Sequence, residues 1–60
     1  MTRAVWLADY GRAHDAIGAI PGAVIAFDDG SHGIDPQRVP ADLVDYYARL
    51  QHIGYARGWL

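Results

Sequence analysis

The sequence contains no Lys, no Glu, no Asn and no Cys among its 60 residues. Without Cys the chain has no disulfide and no thiolate metal site, two common sources of stability in small domains. Without Lys and Glu, its charged side chains are seven Asp and five Arg, and the formal net charge is −2. Because Arg, Asp, Ala and Gly codons are GC-rich, this bias indicates a GC-rich bacterium or its phage as the source.

Basic residues are few and scattered, at positions 3, 12, 38, 49 and 57. Nucleic-acid binding driven by electrostatics needs a basic patch or stripe, so we do not expect a nucleic-acid partner. No stretch approaches the roughly 18 consecutive apolar residues of a membrane span. The N-terminal apolar run stops at Asp9, too soon for the core of a signal peptide. We therefore expect no membrane partner and a cytoplasmic location, in the host if a phage encodes the protein.

Apolar residues are abundant: hydrophobic residues make up 52% of the sequence, with four Tyr, two Trp and one Phe. A chain of this length forms one domain and buries only about 60% of the surface that its unfolded form exposes. We therefore expect more apolar surface than a single core can cover. Association with itself, as a dimer, or with a larger protein would complete the burial.

The N-terminal third has two interpretations. The apolar run 4–8 predicts a short buried strand, followed by a helix over residues 12–20. The alternative is a single helix over residues 3–20, because four apolar residues recur at helical spacing. These are Trp6, Tyr10, Ala13 and Ile17. Gly11 and Gly18 would each cost that helix about 1 kcal/mol relative to Ala, which favours strand and then helix.

Residues 23–27, Ala-Val-Ile-Ala-Phe, form the clearest predicted strand, because the segment is apolar, contains β-branched and aromatic residues and lies between Pro-Gly and Asp-Asp-Gly. Since successive positions are apolar, we expect this strand to be covered on both faces or to lie in an interface. Residues 28–33 are predicted to form a loop, with a short extended piece near Ile34.

The second helix is predicted over residues 41–53, where Leu, Tyr and Ile side chains recur at helical spacing. Gly54 is expected to end it in the left-handed conformation. Residues 55–60 alternate loosely between apolar and polar side chains and are the candidate for a last strand.

These elements predict a small α+β domain of the βα(β)βαβ type, with two helices on a short sheet. Two strands around an intervening helix favour a right-handed crossover and therefore a parallel pair. The order resembles a pared-down ferredoxin-like arrangement, with a third strand near residues 32–36. The alternative order is an N-terminal helix, one strand and a C-terminal helix. Such an architecture serves many unrelated functions and identifies none.

The densest polar cluster is Asp28, Asp29, His32 and Asp35. Carboxylates and an imidazole on a loop are ligands for Mg²⁺, Mn²⁺ or Zn²⁺, so one hypothesis is a metal-dependent enzyme or metal-binding switch. The competing interpretation is that Asp28 and Asp29 cap the turn while His32 is solvated. We expect no cofactor and no catalytic residue, because Ser31 is the only serine and no histidine is placed to activate it.

Six Tyr, Trp and Arg side chains are concentrated in the C-terminal third: Tyr46, Tyr47, Arg49, Tyr55, Arg57 and Trp59. These residue types are enriched at interface hot spots. The first hypothesis is therefore a non-enzymatic interaction module that self-associates or docks on a host protein through these residues. The second is a structural component of a larger assembly, such as a phage particle. The competing interpretation is that the aromatic residues only complete the core of the monomer.

Overall fold

The computed structural model describes residues 1–60 and contains two helices with a β-hairpin between them. Helix α1 spans Arg3–Gly18, strand β1 Val24–Ala26, strand β2 His32–Ile34 and helix α2 Ala41–Ala56. The predicted α+β class is confirmed, with the order helix, strand pair, helix. Neither helix is long and apolar enough to cross a membrane.

The predicted strand over residues 4–8 is wrong, because these residues belong to α1, and the alternative of an N-terminal helix is confirmed. The helix begins at a capped end, where Thr2 Oγ1 accepts a hydrogen bond from the backbone N–H of Val5 at 3.2 Å. Trp6 is only 1% exposed. Burial of a large aromatic side chain stabilises by about 3–5 kcal/mol relative to Ala, which outweighs the cost of about 1 kcal/mol at Gly11.

Strand β1 lies inside the predicted strand over 23–27, and it pairs antiparallel with β2. Val24 lies opposite Ile34, Ile25 opposite Gly33, and Ala26 opposite His32. The predicted parallel pair and the ferredoxin-like arrangement are wrong, because no strand precedes α1 and the sheet has only these two strands. The extended piece predicted near Ile34 is confirmed as β2.

The predicted strand over residues 55–60 is also wrong, because α2 continues to Ala56. The helix ends in a Schellman motif at Gly58, which has a φ of 71°. In this motif the backbone N–H of Trp59 donates to the carbonyl oxygen of Gly54 at 2.8 Å, and that of Gly58 donates to Tyr55 at 3.3 Å. The left-handed residue is therefore Gly58, and Gly54 lies inside the helix.

The core has two parts. The first lies between the helices and contains Trp6, Ala13 and Leu50. The second lies beside the hairpin and contains Ile17, Ala23 and Val39. Tyr47 packs against both parts and joins them. The accessible surface is 4346 Å² for a mass of 6.6 kDa. A typical folded monomer of that mass exposes about 3,900 Å², so this chain exposes about one tenth more surface.

Candidate interaction surface

Three of the six aromatic and cationic residues predicted as an interface are engaged within the chain. The rings of Trp59 and Trp6 lie with their centroids 5.5 Å apart. Tyr47 is half-buried between the two parts of the core. The guanidinium carbon of Arg57 lies 5.3 Å from the centroid of the Trp59 ring, and Nη1 of Arg57 donates to the carbonyl oxygen of Met1 at 3.3 Å. These residues help to complete the monomer.

The other three members of that set lie on the surface of α2. Tyr46 is 41% exposed and Tyr55 is 69% exposed. Arg49 is also exposed. Tyr55 lies nine positions after Tyr46, and at about 100° per position the two side chains point to opposite sides of the helix. The six predicted residues therefore do not form one continuous surface, and contact of these three with a partner stays a prediction.

A polar network lies between the helices and fixes the Tyr47 ring. The hydroxyls of Tyr10 and Tyr47 are 3.1 Å apart, and Nε2 of Gln51 donates to the Tyr10 hydroxyl at 3.3 Å. Burial, together with the hydrogen bond to Tyr10, raises the pKa of Tyr47 to about 12. A phenol with so high a pKa keeps its proton at neutral pH, so Tyr47 supports the packing of the helices rather than general-base chemistry.

In the acidic loop, the carboxylates of Asp29 and Asp35 are occupied by local hydrogen bonds. Asp29 Oδ1 accepts from the backbone N–H of Ser31 at 3.0 Å and from its hydroxyl at 2.6 Å. These bonds lower the pKa of Asp29. Asp35 Oδ1 accepts from the backbone N–H of Gln37 at 2.9 Å, and its Oδ2 lies 3.7 Å from Nε of Arg38. Asp29 therefore caps the turn as the competing interpretation expects, whereas Asp28 does not, and Asp35 caps the next turn instead.

The four predicted metal ligands are not brought together. Asp28 is exposed in the turn and His32 is exposed on β2. No group of three or more His, Cys, Asp or Glu side chains is close enough to hold a metal ion. The loop therefore offers a divalent cation no preformed site, since such a cation needs several converging ligands in a defined geometry.

A shallow cleft of about 290 Å³ lies between the hairpin and the two helices. Ile17, Val24 and Ile34 contribute apolar surface to it, and His14 and Gln51 contribute polar groups. His14 has no assigned role in the sequence-based hypotheses, yet its ring centroid lies 6.3 Å from that of Tyr47. Its position one residue after the buried Ala13 indicates that it flanks the packed face of α1. No carboxylate and no hydroxyl nucleophile other than the Tyr47 phenol lines the cleft.

A group of exposed apolar side chains lies on the hairpin. All three residues of β1 are exposed, and Val24, Ile25 and Phe27 are 52%, 37% and 52% exposed. The Phe27 ring lies over Gly33 on the neighbouring strand, where an added Cβ would be 2.9 Å from it. The sequence predicts that this strand is covered on both faces or lies in an interface, and the chain itself leaves it exposed.

Nucleophilic side chains are scarce on these surfaces. The chain has no cysteine, its only serine donates to Asp29, and the phenol in the cleft keeps its proton. The exposed apolar side chains lie on α1, on and beside β1, and on α2. Comparison of the chain with protein-family models, curated proteins and solved structures finds no match.

Proposed function

We propose that this protein is a small non-enzymatic protein–protein interaction module that self-associates, with the hairpin as its main contact surface. The observation that carries the proposal is the exposure of Val24, Ile25 and Phe27, each more than one third accessible. Residues 23–27 contain no polar or charged side chain. Water contact with this segment is therefore unfavourable, and burial against a partner removes that penalty.

The limited core supports the same function. Only seven of the 60 residues are buried. A domain of this size without disulfides is marginally stable, and association is one of the few remaining sources of stabilisation.

The proposed setting is the cytoplasm of a GC-rich bacterium, or of the host cell if a phage encodes the protein.

A second candidate is a structural component of a larger assembly, such as a phage particle. Tyr46 and Tyr55 lie on opposite sides of α2, and Leu7 is 59% exposed on α1. Exposed apolar groups in several directions fit a subunit that contacts more than one neighbour, including a host or assembly protein. Such a subunit would form species larger than a dimer at high concentration, or would fold only with its neighbours.

The test is sedimentation equilibrium from micromolar to several hundred micromolar protein. We expect a reversible dimer of the natural chain, and we expect Ile25→Ser to weaken it. Leu7→Ser is the matched control, because it also removes an exposed aliphatic side chain, but from α1. A natural chain that stays monomeric throughout this range would contradict the proposed self-association.

A further inference from the structure

Strand β1 has an open edge. The hairpin ladder joins Ala23 to Asp35 and Phe27 to Ser31, and Ile25 lies opposite Gly33 between them. Hydrogen-bonded and non-hydrogen-bonded pairs alternate in an antiparallel ladder, so the backbone N–H and C=O groups of residues 24 and 26 point away from β2. No hydrogen bond outside the helices and the hairpin ladder involves these groups.

We propose that β1 pairs antiparallel with β1 of a second copy of this chain, about a two-fold axis at Ile25. The result is a four-stranded sheet with β2 strands outside and β1 strands inside. Val24 of each protomer then lies opposite Ala26 of the other, and four backbone hydrogen bonds join the two edges. This inference rests on the proposed self-association and specifies its partner, edge and register.

The β1 edge is favoured over the β2 edge for three reasons. All of β1 is exposed, whereas Gly33 and Ile34 of β2 are partly covered. A two-fold axis on β2 would place Gly33 at its centre, where there is no side chain to pack. The segment 23–27 also lacks the charges, proline and bulge with which exposed edge strands usually prevent pairing.

The same register aligns the exposed apolar side chains. Ile25 faces the partner's Ile25 as a non-hydrogen-bonded pair, with Cα atoms about 4.5 Å apart. Phe27 lies on the same face of the strand, two residues along, and reaches diagonally toward the partner's Ile25. One face of the four-stranded sheet thus carries a continuous row of four apolar side chains, two from each protomer.

Charges are complementary at the two ends of the ladder. In this register Asp28 of one protomer lies opposite Gly22 of the other, two positions beyond the pair of Val24 and Ala26. The side chain of Arg38 lies over Gly22, where an added Cβ would be 3.0 Å from Arg38 Cδ and 3.1 Å from Nε. Asp28 takes part in none of the ion pairs within the chain. Each Asp28 therefore meets the partner's Arg38, and the two-fold axis repeats the contact.

The available area implies a weak dimer. The apolar surface available for contact can be calculated from the exposed fractions of Val24, Ile25 and Phe27. With full residue areas of roughly 150–200 Å² each, it amounts to roughly 500 Å² for two protomers. Stable interfaces bury more than about 1,000 Å² in total. The backbone of the paired strands and the Asp28–Arg38 contacts must therefore supply the rest of the buried area. We expect a dissociation constant on the order of micromolar, typical of small interfaces.

The first test is a cross-link at the two-fold axis. The natural chain has no cysteine, so a disulfide formed by Ile25→Cys must join two protomers. Under mild oxidation we expect Ile25→Cys to form the covalent dimer at least about 10-fold faster than Leu7→Cys, because the paired Cβ atoms are only about 4.5–5.5 Å apart. Equal rates for the two variants would overturn the β1 pairing.

The second test is a charge exchange measured by sedimentation equilibrium. Asp28→Arg and Arg38→Asp each place like charges at both ends of the ladder, and each is expected to raise the dissociation constant about 5-fold or more. The double variant restores opposite charges and is expected to recover most of the affinity. Thermal melts of the variants at low concentration check that the monomer fold is retained.

The outcomes separate this inference from the proposed function. A natural chain that never dimerises contradicts both. A natural chain that dimerises without preferential cross-linking at Ile25, or without recovery in the double variant, contradicts only the β1 pairing and shows that another surface is used. Preferential cross-linking together with charge recovery supports both.

Discussion

The indole Nε1 of Trp6 donates a hydrogen bond to the backbone carbonyl oxygen of Leu50, 2.8 Å away. The bond crosses from α1 to α2 between two residues that are 1% and 2% exposed. An unpaired indole N–H in such a site would cost about 1–3 kcal/mol, so the bond selects the rotation of α1 that brings the indole to this carbonyl. No buried side-chain nitrogen or oxygen in the chain lacks a partner.

Replacement of Trp6 should therefore lower the stability of the fold. Trp6→Phe removes the hydrogen bond and leaves a void between the helices, and we expect it to lower the free energy of unfolding by about 1–3 kcal/mol. The measurement is urea denaturation followed by circular dichroism. Trp59→Phe is the control, because Trp59 is only half-buried and its indole makes no hydrogen bond. Equal losses in the two variants would show that the Trp6–Leu50 bond contributes little.

Gly54 provides a second prediction, because the helices approach closely at this residue. A Cβ at position 54 would lie 2.5 Å from Cζ2 of Trp6 and 2.9 Å from Cδ1 of Leu60. Gly54→Ala therefore forces the buried indole to move, and we expect the free energy of unfolding to fall by about 1–3 kcal/mol. Chemical denaturation measures the change.

The control for this substitution is Gly11→Ala in α1. A Cβ at Gly11 would meet nothing within 4 Å, and the residue is exposed. We expect Gly11→Ala to stabilise the protein by up to about 1 kcal/mol, because alanine has the higher helix propensity. The two substitutions should thus have opposite signs. Stabilisation by Gly54→Ala as well would contradict the close packing of Gly54 against Trp6.

Local sequence patterns were sufficient to predict some elements and insufficient for others. The β-branched segment before Asp28 identifies β1, and the periodic apolar residues of α2 identify most of that helix. The choice between strand and helix over residues 4–8 depends on the burial of Trp6 against Leu50, a residue 44 positions away. No window around Trp6 contains that information, so the sequence alone shows the cost of Gly11 but not the larger stabilisation by Trp6 burial that outweighs it.

The functional residues divide in the same way. Tyr47 and Trp59 are of residue types enriched at interfaces. They pack inside the monomer because α1 lies beside them, and local patterns do not specify that position of α1. The exposure of Ile25 and Phe27 follows from the absence of a strand or helix on the outer face of the hairpin. That absence becomes visible only when residues 4–8 and 55–60 are found in or beside helices.

The acidic loop gives a prediction about metal ions. Because Asp29 and Asp35 already accept local hydrogen bonds, we expect millimolar Mg²⁺ or Mn²⁺ and a chelator to leave the melting temperature unchanged. A ligand at 100 times its dissociation constant would add about 2.7 kcal/mol, which in a domain of this size raises the melting temperature by about 10–20 °C. Such a rise, abolished by Asp28→Asn, would instead support the metal-binding hypothesis.

Alkaline pH tests the environment of Tyr47. Its pKa is raised from the ordinary value of 10.0 to about 12 in the folded state, mainly by burial. Between these two values the unfolded chain loses the Tyr47 proton while the folded chain keeps it. The folded state then binds more protons than the unfolded state, so the free energy of unfolding must decrease as pH rises from about 10 to about 12.

The composition of the chain makes this experiment unusually direct. With no Lys and no Cys in the sequence, tyrosine is the only residue type with a reference pKa between about 9 and 12. We expect Tyr47→Phe to reduce the loss of stability over this pH range, and Tyr55→Phe, which removes an exposed hydroxyl, to leave it unchanged. Urea denaturation at several pH values measures the slope. A slope in Tyr47→Phe as steep as in the natural chain would show that the buried phenol of Tyr47 is not its source.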